Sequence, residues 1–358
     1  MRIDQLDYHL PAELIAQTPV EPRDSSRLLV VHRQSGELEH RRFYELGAYL
    51  RAGDLLVANE SKVLPARLMG QKVGTGGRVE VLLLRPVVQP EDEGAEPRVW
   101  EGLVSPGRRI HDGTLLGFGS AESGVYLEAE VVARSELGGR ILRFDRPPRP
   151  VLDALGEMPL PPYIHEKLTD AGRYQTVYAR TEGSAAAPTA GLHFTERLMS
   201  ELREGGVGWG TVTLHVGLDT FRPVHEERIE DHPMHREWYN LPGETARAIT
   251  EAREAGGRVV AVGTTSVRVL ETVARSQSLG LARNEPVRPS EGWTDLYLMP
   301  GSRFGLVDAM ITNFHLPRTT LLLLVSAFAG YDLMMKAYAE AIRERYRFYS
   351  FGDAMLIV

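Results

Sequence analysis

The sequence predicts an α/β fold, mixed α+β in detail, with one large domain drawn from both ends of the chain and a small all-β domain inserted in its first half. Three observations lead there. Between about Ala66 and Phe144 there are only short β runs with period-two alternation, and turn signals (GTGG, SPG, HDG, ELGG) recur at the spacing of a small antiparallel barrel or sandwich. After Pro150 helix and strand patterns alternate, as βα units do. The residues before Pro65 alternate in the same way without that turn density. The expected division is therefore 1–64 with 151–358 as the large domain and 65–150 as the inserted one.

In chain order, strands are expected at 27–32 and 54–58 around a helix at 43–50. In the inserted segment, Val79–Leu84 follows the turn Thr75-Gly76-Gly77, Trp100–Val104 is a second run, and Val125–Val132 sets Glu128 and Glu130 between apolar partners. Pro147-Pro148-Arg149-Pro150 makes a stiff, extended exit. Thr195 is placed to cap a helix through Arg203, since its hydroxyl can accept from a first-turn N–H, and Gly205-Gly206 stops that helix. Thr211–Val216 reads as a buried strand. Residues 244–255 read as a helix closed by Gly256-Gly257, followed by the apolar strand Val259–Val262 and a helix at 266–275. Asp295–Met299 is expected as a strand, 319–346 as two helices broken at Gly330-Tyr331, and Ala354–Val358 as a terminal strand.

Composition narrows the chemistry. The 358 residues are 43% apolar and 25% charged, ordinary for a globular chain with a sizeable core. There is no cysteine, which excludes disulfides, thiolate zinc sites, iron–sulfur clusters and cysteine nucleophiles. The start, MRIDQLDYHLPAELIAQ, has neither the basic nor the apolar region of a secretory signal. The most apolar window, Leu321 to Ala329, is about half the length that spans a bilayer, so a cytoplasmic location with no membrane partner is expected. A net charge of −7 argues against coating nucleic acid through the overall field, and any RNA contact has to use a local patch. The candidates are Arg33 with His40, Arg41 and Arg42; Arg140, Arg143, Arg146 and Arg149; and Arg343, Arg345 and Arg347, interleaved with Tyr346 and Phe348. Each also reads as a solvated face, and Tyr346 and Phe348 as the buried side of the last helix.

Candidate chemistry concentrates after residue 170. Arg173-Tyr174-Gln175-Thr176-Val177-Tyr178 is followed by Gly183–Phe194 (GSAAAPTAGLHF). Small residues there either let backbone N–H groups approach a ligand at a helix N-terminus or make a tight helix–helix contact. His193, His215, His225, His232, His235 and His315 are six of the eleven histidines, the side chain suited to proton transfer near neutrality. His232 and His235 with Glu237 have a spacing that could hold zinc on a helix. Pro233 lies between them and no third ligand has motif spacing, so no metal is expected. Val259–Gly263 followed by Thr264, Thr265, Ser266 and Arg268 is strand, glycine turn and helix start, which suits an anion but is neither a dinucleotide nor a P-loop fingerprint.

With these segments in view, the chain resembles the S-adenosylmethionine:tRNA ribosyltransferase-isomerases of queuosine biosynthesis. The likeness runs end to end. It includes LPAELIAQ at Leu10–Gln17, SRLL at Ser26–Leu29, GDLLV at Gly53–Val57, PARL at Pro65–Leu68, PLPPYI at Pro159–Ile164 and RYQTVYA at Arg173–Ala179. It continues with APTAGLHF at Ala187–Phe194, TLHVG at Thr213–Gly217, AVGTT at Ala261–Thr265, ITNFHLP at Ile311–Pro317 and GDAM at Gly352–Met355. The family's usual Asn-Asp-Thr appears as Asn59-Glu60-Ser61, Ala185 stands where valine is common, and Asp219 replaces a glycine that could serve a special backbone angle.

The resemblance implies a large α/β domain plus a small β-barrel. It also implies a reaction in which the ribosyl group of S-adenosylmethionine is transferred and isomerised onto the aminomethyl group of 7-aminomethyl-7-deazaguanine in tRNA. Epoxyqueuosine-tRNA, adenine and methionine are the products. The sulfonium acidifies the neighbouring 5′ methylene, so a base starts the reaction, an acid helps adenine leave, and the attacking amine must be neutral. Under this reading His193, His215 and His315 share the acid and base roles and Asn313 orients one partner. Thr189, Ala190, Gly191, Phe194, Gly263, Thr264 and Thr265 hold S-adenosylmethionine, Arg268 meets its carboxylate, and Arg173, Tyr174, Gln175 and Tyr178 frame the flipped base. The partner is a tRNA anticodon stem-loop, met by a monomer without a metal. The alternatives are an S-adenosylmethionine-dependent RNA methyltransferase and a non-enzymatic RNA-binding module.

Overall fold

Strands from both ends of the chain join in one nine-stranded sheet in the computed structural model, which describes residues 1–87, 95–120, 124–135, 138–217, 226–232, 234, 236–280 and 283–358. The chain divides into a large unit, Met1–Lys62 with Pro161–Thr181 and Ala187–Val358, and a small unit, Val63–Leu160 with Glu182–Ala186. Across the large unit's sheet the order is Ser290–Thr294, Glu237–Leu241, Gly208–Leu214, Leu55–Asn59, Val259–Val262, Ala309–Asn313, Ala354–Ile357, Arg27–Val31 and Leu38–Arg42. The four strands from Gly208–Leu214 to Ala309–Asn313 are parallel, so their carboxyl ends share one edge.

Alternation decides what each strand residue meets. Leu29, Val31, Leu55, Val57, Val259 and Ala261 enter one core, shared with Ile249, Val269, Leu323 and Tyr338 from the helices Gly243–Glu254, Thr264–Ser276, Thr320–Ala329 and Tyr331–Arg343. Leu28, Val30, Leu56, Ala58, Val260 and Val262 enter a second core under Phe43, Phe194, Leu198 and Leu202. With both faces covered, these strands read in sequence as unbroken apolar runs. Each fully buried Leu or Val contributes about 1.5–3 kcal/mol.

Thr195 caps the Glu196–Glu204 helix, its hydroxyl accepting from the Leu198 N–H at 3.1 Å, and Thr319 does the same for Leu322 at 3.4 Å. Among the described residues no single helix is long and apolar enough to cross a membrane, and Thr320–Ala329 meets Tyr331–Arg343 at 114°. Two expected elements differ. The segment at 43–50 is a 3-10 helix, Phe43–Tyr49. Asp295–Met299 is not a strand; its alternation comes from Leu296 and Leu298 packing on the core, and the paired strand is Ser290–Thr294.

The small unit is a closed antiparallel barrel. Arg67–Lys72, Arg78–Pro86, Val99–Ser105, Arg140–Phe144, Val125–Arg134 and Leu115–Ser120 pair in that order, and the last closes on the first. Leu68, Val81, Leu116, Phe118, Leu127, Val131 and Leu142 fill its interior. Arg140 is buried as well, donating to the carbonyls of Gly107 and Ile110, so it does not belong to a basic surface with Arg143, Arg146 and Arg149. Arg143 and Arg149 are paired with Glu130 and Glu182.

Candidate active site

Open α/β sheets bind ligands outside the carboxyl ends of their parallel strands, because the loops and helix N-termini there present free backbone donors. In the large unit that edge carries a cleft, about 530 Å³ counting the solvent-open space at its mouth. Among its walls are three separate segments: Thr189 and Ala190, Gly263 to Thr265, and Thr312, Asn313 and His315.

Gly263 turns the chain from its strand into the helix Thr264–Ser276 with φ +88°, a conformation that favours glycine. The first-turn N–H groups of that helix have no partner within the helix, and its dipole favours negative charge. The Thr265 hydroxyl is buried and makes no hydrogen bond. Together these suit an oxyanion such as a carboxylate.

On the other wall, Asn313 is 3% exposed and held at three points. Its Oδ1 accepts from the Thr189 hydroxyl at 2.8 Å, and its Nδ2 donates to the Tyr349 carbonyl and to His193 Nε2, both at 3.3 Å. Because the amide must donate to a carbonyl, His193 Nε2 is an acceptor and its Nδ1 donates to the Ser26 hydroxyl at 2.8 Å. Burial, with Arg347 and Arg23 nearby, lowers the His193 pKa to about 3, so the ring is neutral. Phe43 stacks on it at 5.0 Å. His193 thus supports Asn313 from behind and does not line the cleft. His315 does line it, with Nε2 on the Thr312 hydroxyl at 2.7 Å and its backbone fixed by Tyr338 and Tyr8. Burial lowers its pKa to about 3 as well. The imidazole is therefore neutral at pH 7 and able to accept a proton, while a pKa this far below the working pH makes it a weak base in this environment.

The other expected site residues lie elsewhere. His215 stacks on Trp238 at 5.2 Å, its pKa lowered by burial and its Nδ1 buried without a partner. Arg268 is buried and paired with Glu237, while its Nε and Nη2 make no hydrogen bond. Gly191 packs so closely under Tyr178 that a Cβ would sit 1.9 Å from the phenol oxygen. Phe194 is core, edge-on to Phe43 and Trp209. Tyr174 is fully buried edge-on to Phe351, which makes it packing and not a platform for a base. The Gln175 carbonyl accepts from Arg23, Arg173 faces a second, smaller pocket, and Tyr178 lines another cleft with Glu60, Arg180 and Trp209.

His225, His235 and Asp219 fall outside the described residues. His232 pairs with Glu226, and among the described residues no group of three His, Asp or Glu side chains is arranged to hold a metal. Tyr346 and Phe348 are fully buried. Residues that motif reading passed over as cleft walls are Tyr163, Tyr349 and Ser350. Tyr163 hydrogen-bonds Ser350 at 2.7 Å, and Tyr349 has φ +71°, strain of the kind that gathers at functional sites.

Residues 3–357 match the family described as "Queuosine biosynthesis protein". The S-adenosylmethionine:tRNA ribosyltransferase-isomerases of Moorella thermoacetica and Symbiobacterium thermophilum are 56% and 54% identical to the chain, each alignment covering 100% of both proteins. A crystal structure of S-adenosylmethionine tRNA ribosyltransferase from Thermotoga maritima is 42% identical, covers 99% of this chain and 100% of its own, and superposes with a TM-score of 0.54. Identity at this level over the full length, on a fold with the same mixed sheet and closed barrel that the motifs imply, shows that the chain belongs to the queuosine biosynthesis protein family.

Proposed function

We infer that this protein is a transferase that modifies tRNA, acting as an S-adenosylmethionine:tRNA ribosyltransferase-isomerase. It moves the ribosyl group of S-adenosylmethionine to the aminomethyl group of 7-aminomethyl-7-deazaguanine in tRNA, in queuosine biosynthesis. A carbon–nitrogen bond forms at the aminomethyl group. Adenine leaves through its glycosidic bond and methionine through its bond to the ribosyl 5′ carbon.

What carries the reading at the site is convergence. Segments more than a hundred residues apart, Thr189-Ala190 and Asn313 to His315, meet the Gly263–Thr265 turn around one cleft, and all three come from the motifs that define the family likeness. In this reading Thr264 and Thr265 take the methionine carboxylate at the helix N-terminus. His315 is the base for the 5′ proton, and Asn313, oriented by His193, hydrogen-bonds the ribosyl group. Tyr163 and Tyr349, whose rings lie 4.8 Å apart, offer flat apolar surface to a purine.

The test is product stoichiometry. Purified protein, given S-adenosylmethionine and tRNA bearing the aminomethyl base, releases one adenine and one methionine per base modified, with a chelator present. Release of S-adenosylhomocysteine would identify a methyltransferase instead, and intact cofactor a binding module.

A further inference from the structure

A second pocket, of about 260 Å³, lies beside the cleft and shares Ser350 with it. Arg23, Arg173, His193 and Phe351 form its walls. Arg23 gives N–H groups to the carbonyls of Gln175 and Gly172, at 2.6 and 2.9 Å. Arg173 donates to the Val20 carbonyl at 2.8 Å and pairs with Glu21, a largely exposed side chain, while its Nε is buried with no acceptor. Arg347 donates to the Thr18 carbonyl and lies close enough to depress the His193 pKa along with Arg23. Asp353, whose charge acts on Arg347, accepts the backbone N–H groups of Arg27 and Arg347, each at 2.8 Å. Since a guanidinium carries five donors, Arg23 with two carbonyl acceptors, Arg347 with one and Arg173 with its Nε unpaired all keep N–H groups in reserve. Burial works against the charge of all three, lowering each pKa, and a bound anion would offset that cost.

We propose that this pocket binds a backbone phosphate of the RNA substrate beside the nucleotide being modified, with Arg23 and Arg173, which line it, as its donors and Arg347, held on the Thr18 carbonyl next to the pocket wall, adding positive charge. The assignment rests on the reading that the protein acts on tRNA. Guanidinium forks match phosphate oxygens in pairs, and because Ser350 belongs to both cavities, a base in the cleft brings its own sugar–phosphate towards the pocket. The pocket also gives a protein of net charge −7 a local anion site. The other source of the same chemistry is the carboxylate of S-adenosylmethionine, and the experiment separates the two.

Arg23→Gln, Arg347→Gln and the charge-keeping Arg23→Lys are compared with wild type for tRNA binding between about 50 and 200 mM salt, where each phosphate contact in a single strand adds about 0.7 to the slope of log affinity against log salt. Because the arginines share one phosphate, each glutamine variant is expected to lower that slope by less than the full value of about 0.7 and to raise the KM for tRNA about tenfold, as loss of a charged hydrogen bond does. Arg23→Lys retains the slope, and the KM for S-adenosylmethionine is unchanged throughout. Inorganic phosphate competes with tRNA and not with S-adenosylmethionine. An unchanged slope in both folded glutamine variants overturns the proposal, and so does a KM rise confined to S-adenosylmethionine. Wild-type protein that binds tRNA with these slopes yet releases no adenine would refute the reaction and leave the pocket standing.

Discussion

Acidification to pH 5.0 should weaken the large unit by about 4 kcal/mol relative to pH 7.0, through two histidines alone. His193 and His315 are 4% and 8% exposed and titrate near pH 3 in the folded protein, against about 6.5 in the unfolded chain. Above pH 6.5 both states leave the rings neutral. As pH falls below 6.5 the unfolded chain takes up a proton at each ring and the folded protein does not, so stability declines with falling pH across the window from about 6.5 to 3. Each histidine costs about 1.4 kcal/mol per pH unit, hence about 2 kcal/mol over the 1.5 units to pH 5.0. Two of them remove a large part of an ordinary stability of about 5–15 kcal/mol. Asp353 and Glu271, whose pKa values burial raises, act with the opposite sign, so a subtraction is needed to isolate the imidazoles. Urea unfolding at both pH values, followed by fluorescence of Trp209, Trp238 and Trp293 in the large unit, supplies it with His315→Gln as the comparison. The variant should show a pH difference smaller by about 2 kcal/mol. A variant as pH-sensitive as wild type would mean that His315 titrates normally and that its burial does not hold the ring neutral.

Three further outcomes are expected. His215→Ala should lower thermal stability and leave turnover per folded molecule close to wild type, since His215 stacks on Trp238 outside the cleft; a loss of about 10²- to 10⁴-fold in turnover from a fully folded variant would return it to the acid or base role. Gly191→Ala should destabilise by about 1–3 kcal/mol, because the new Cβ collides with the Tyr178 oxygen, and a thermal melt matching wild type would show that Tyr178 moves freely. Arg343→Gln with Arg345→Gln should leave the salt slope of tRNA binding unaltered, since Arg343 is paired with Glu340 and Glu344 and Arg345 lies 3.9 Å from Glu13; a slope lower by one unit or more would return this helix to the RNA surface.

How much of this was legible beforehand differs from element to element. Leu55 to Ala58 and Val259 to Val262 are buried on both sides, so their continuous apolar runs could hardly be anything but inner strands, and the Thr195 cap announced its helix because capping is a contact over three residues. The alternation in the middle of the chain indicated an all-β domain but left barrel and sandwich open, since closure depends on Arg67–Lys72 meeting Leu115–Ser120. Asp295–Met299 misled because period two reports burial on one side, whether a ladder or a core supplies it.

By itself, then, the sequence determined what local chemistry and local periodicity can carry: the strands of the inner sheet, the helix starts, the exclusion of cysteine chemistry, and motifs specific enough to place the chain in its family. Tertiary structure alone decided which polar groups touch. His193 and Asn313 are 120 residues apart, and His193 and Ser26 are 167 apart, so nothing in either neighbourhood says that His193 stands behind Asn313 while His315 faces the cleft. Nor could local sequence say that Arg140 is buried against the carbonyls of Gly107 and Ile110 while Arg23 and Arg173 share a pocket. A side chain's protonation and role follow from its burial and partners, and those are set by the packing of segments distant in the chain, which no local pattern encodes.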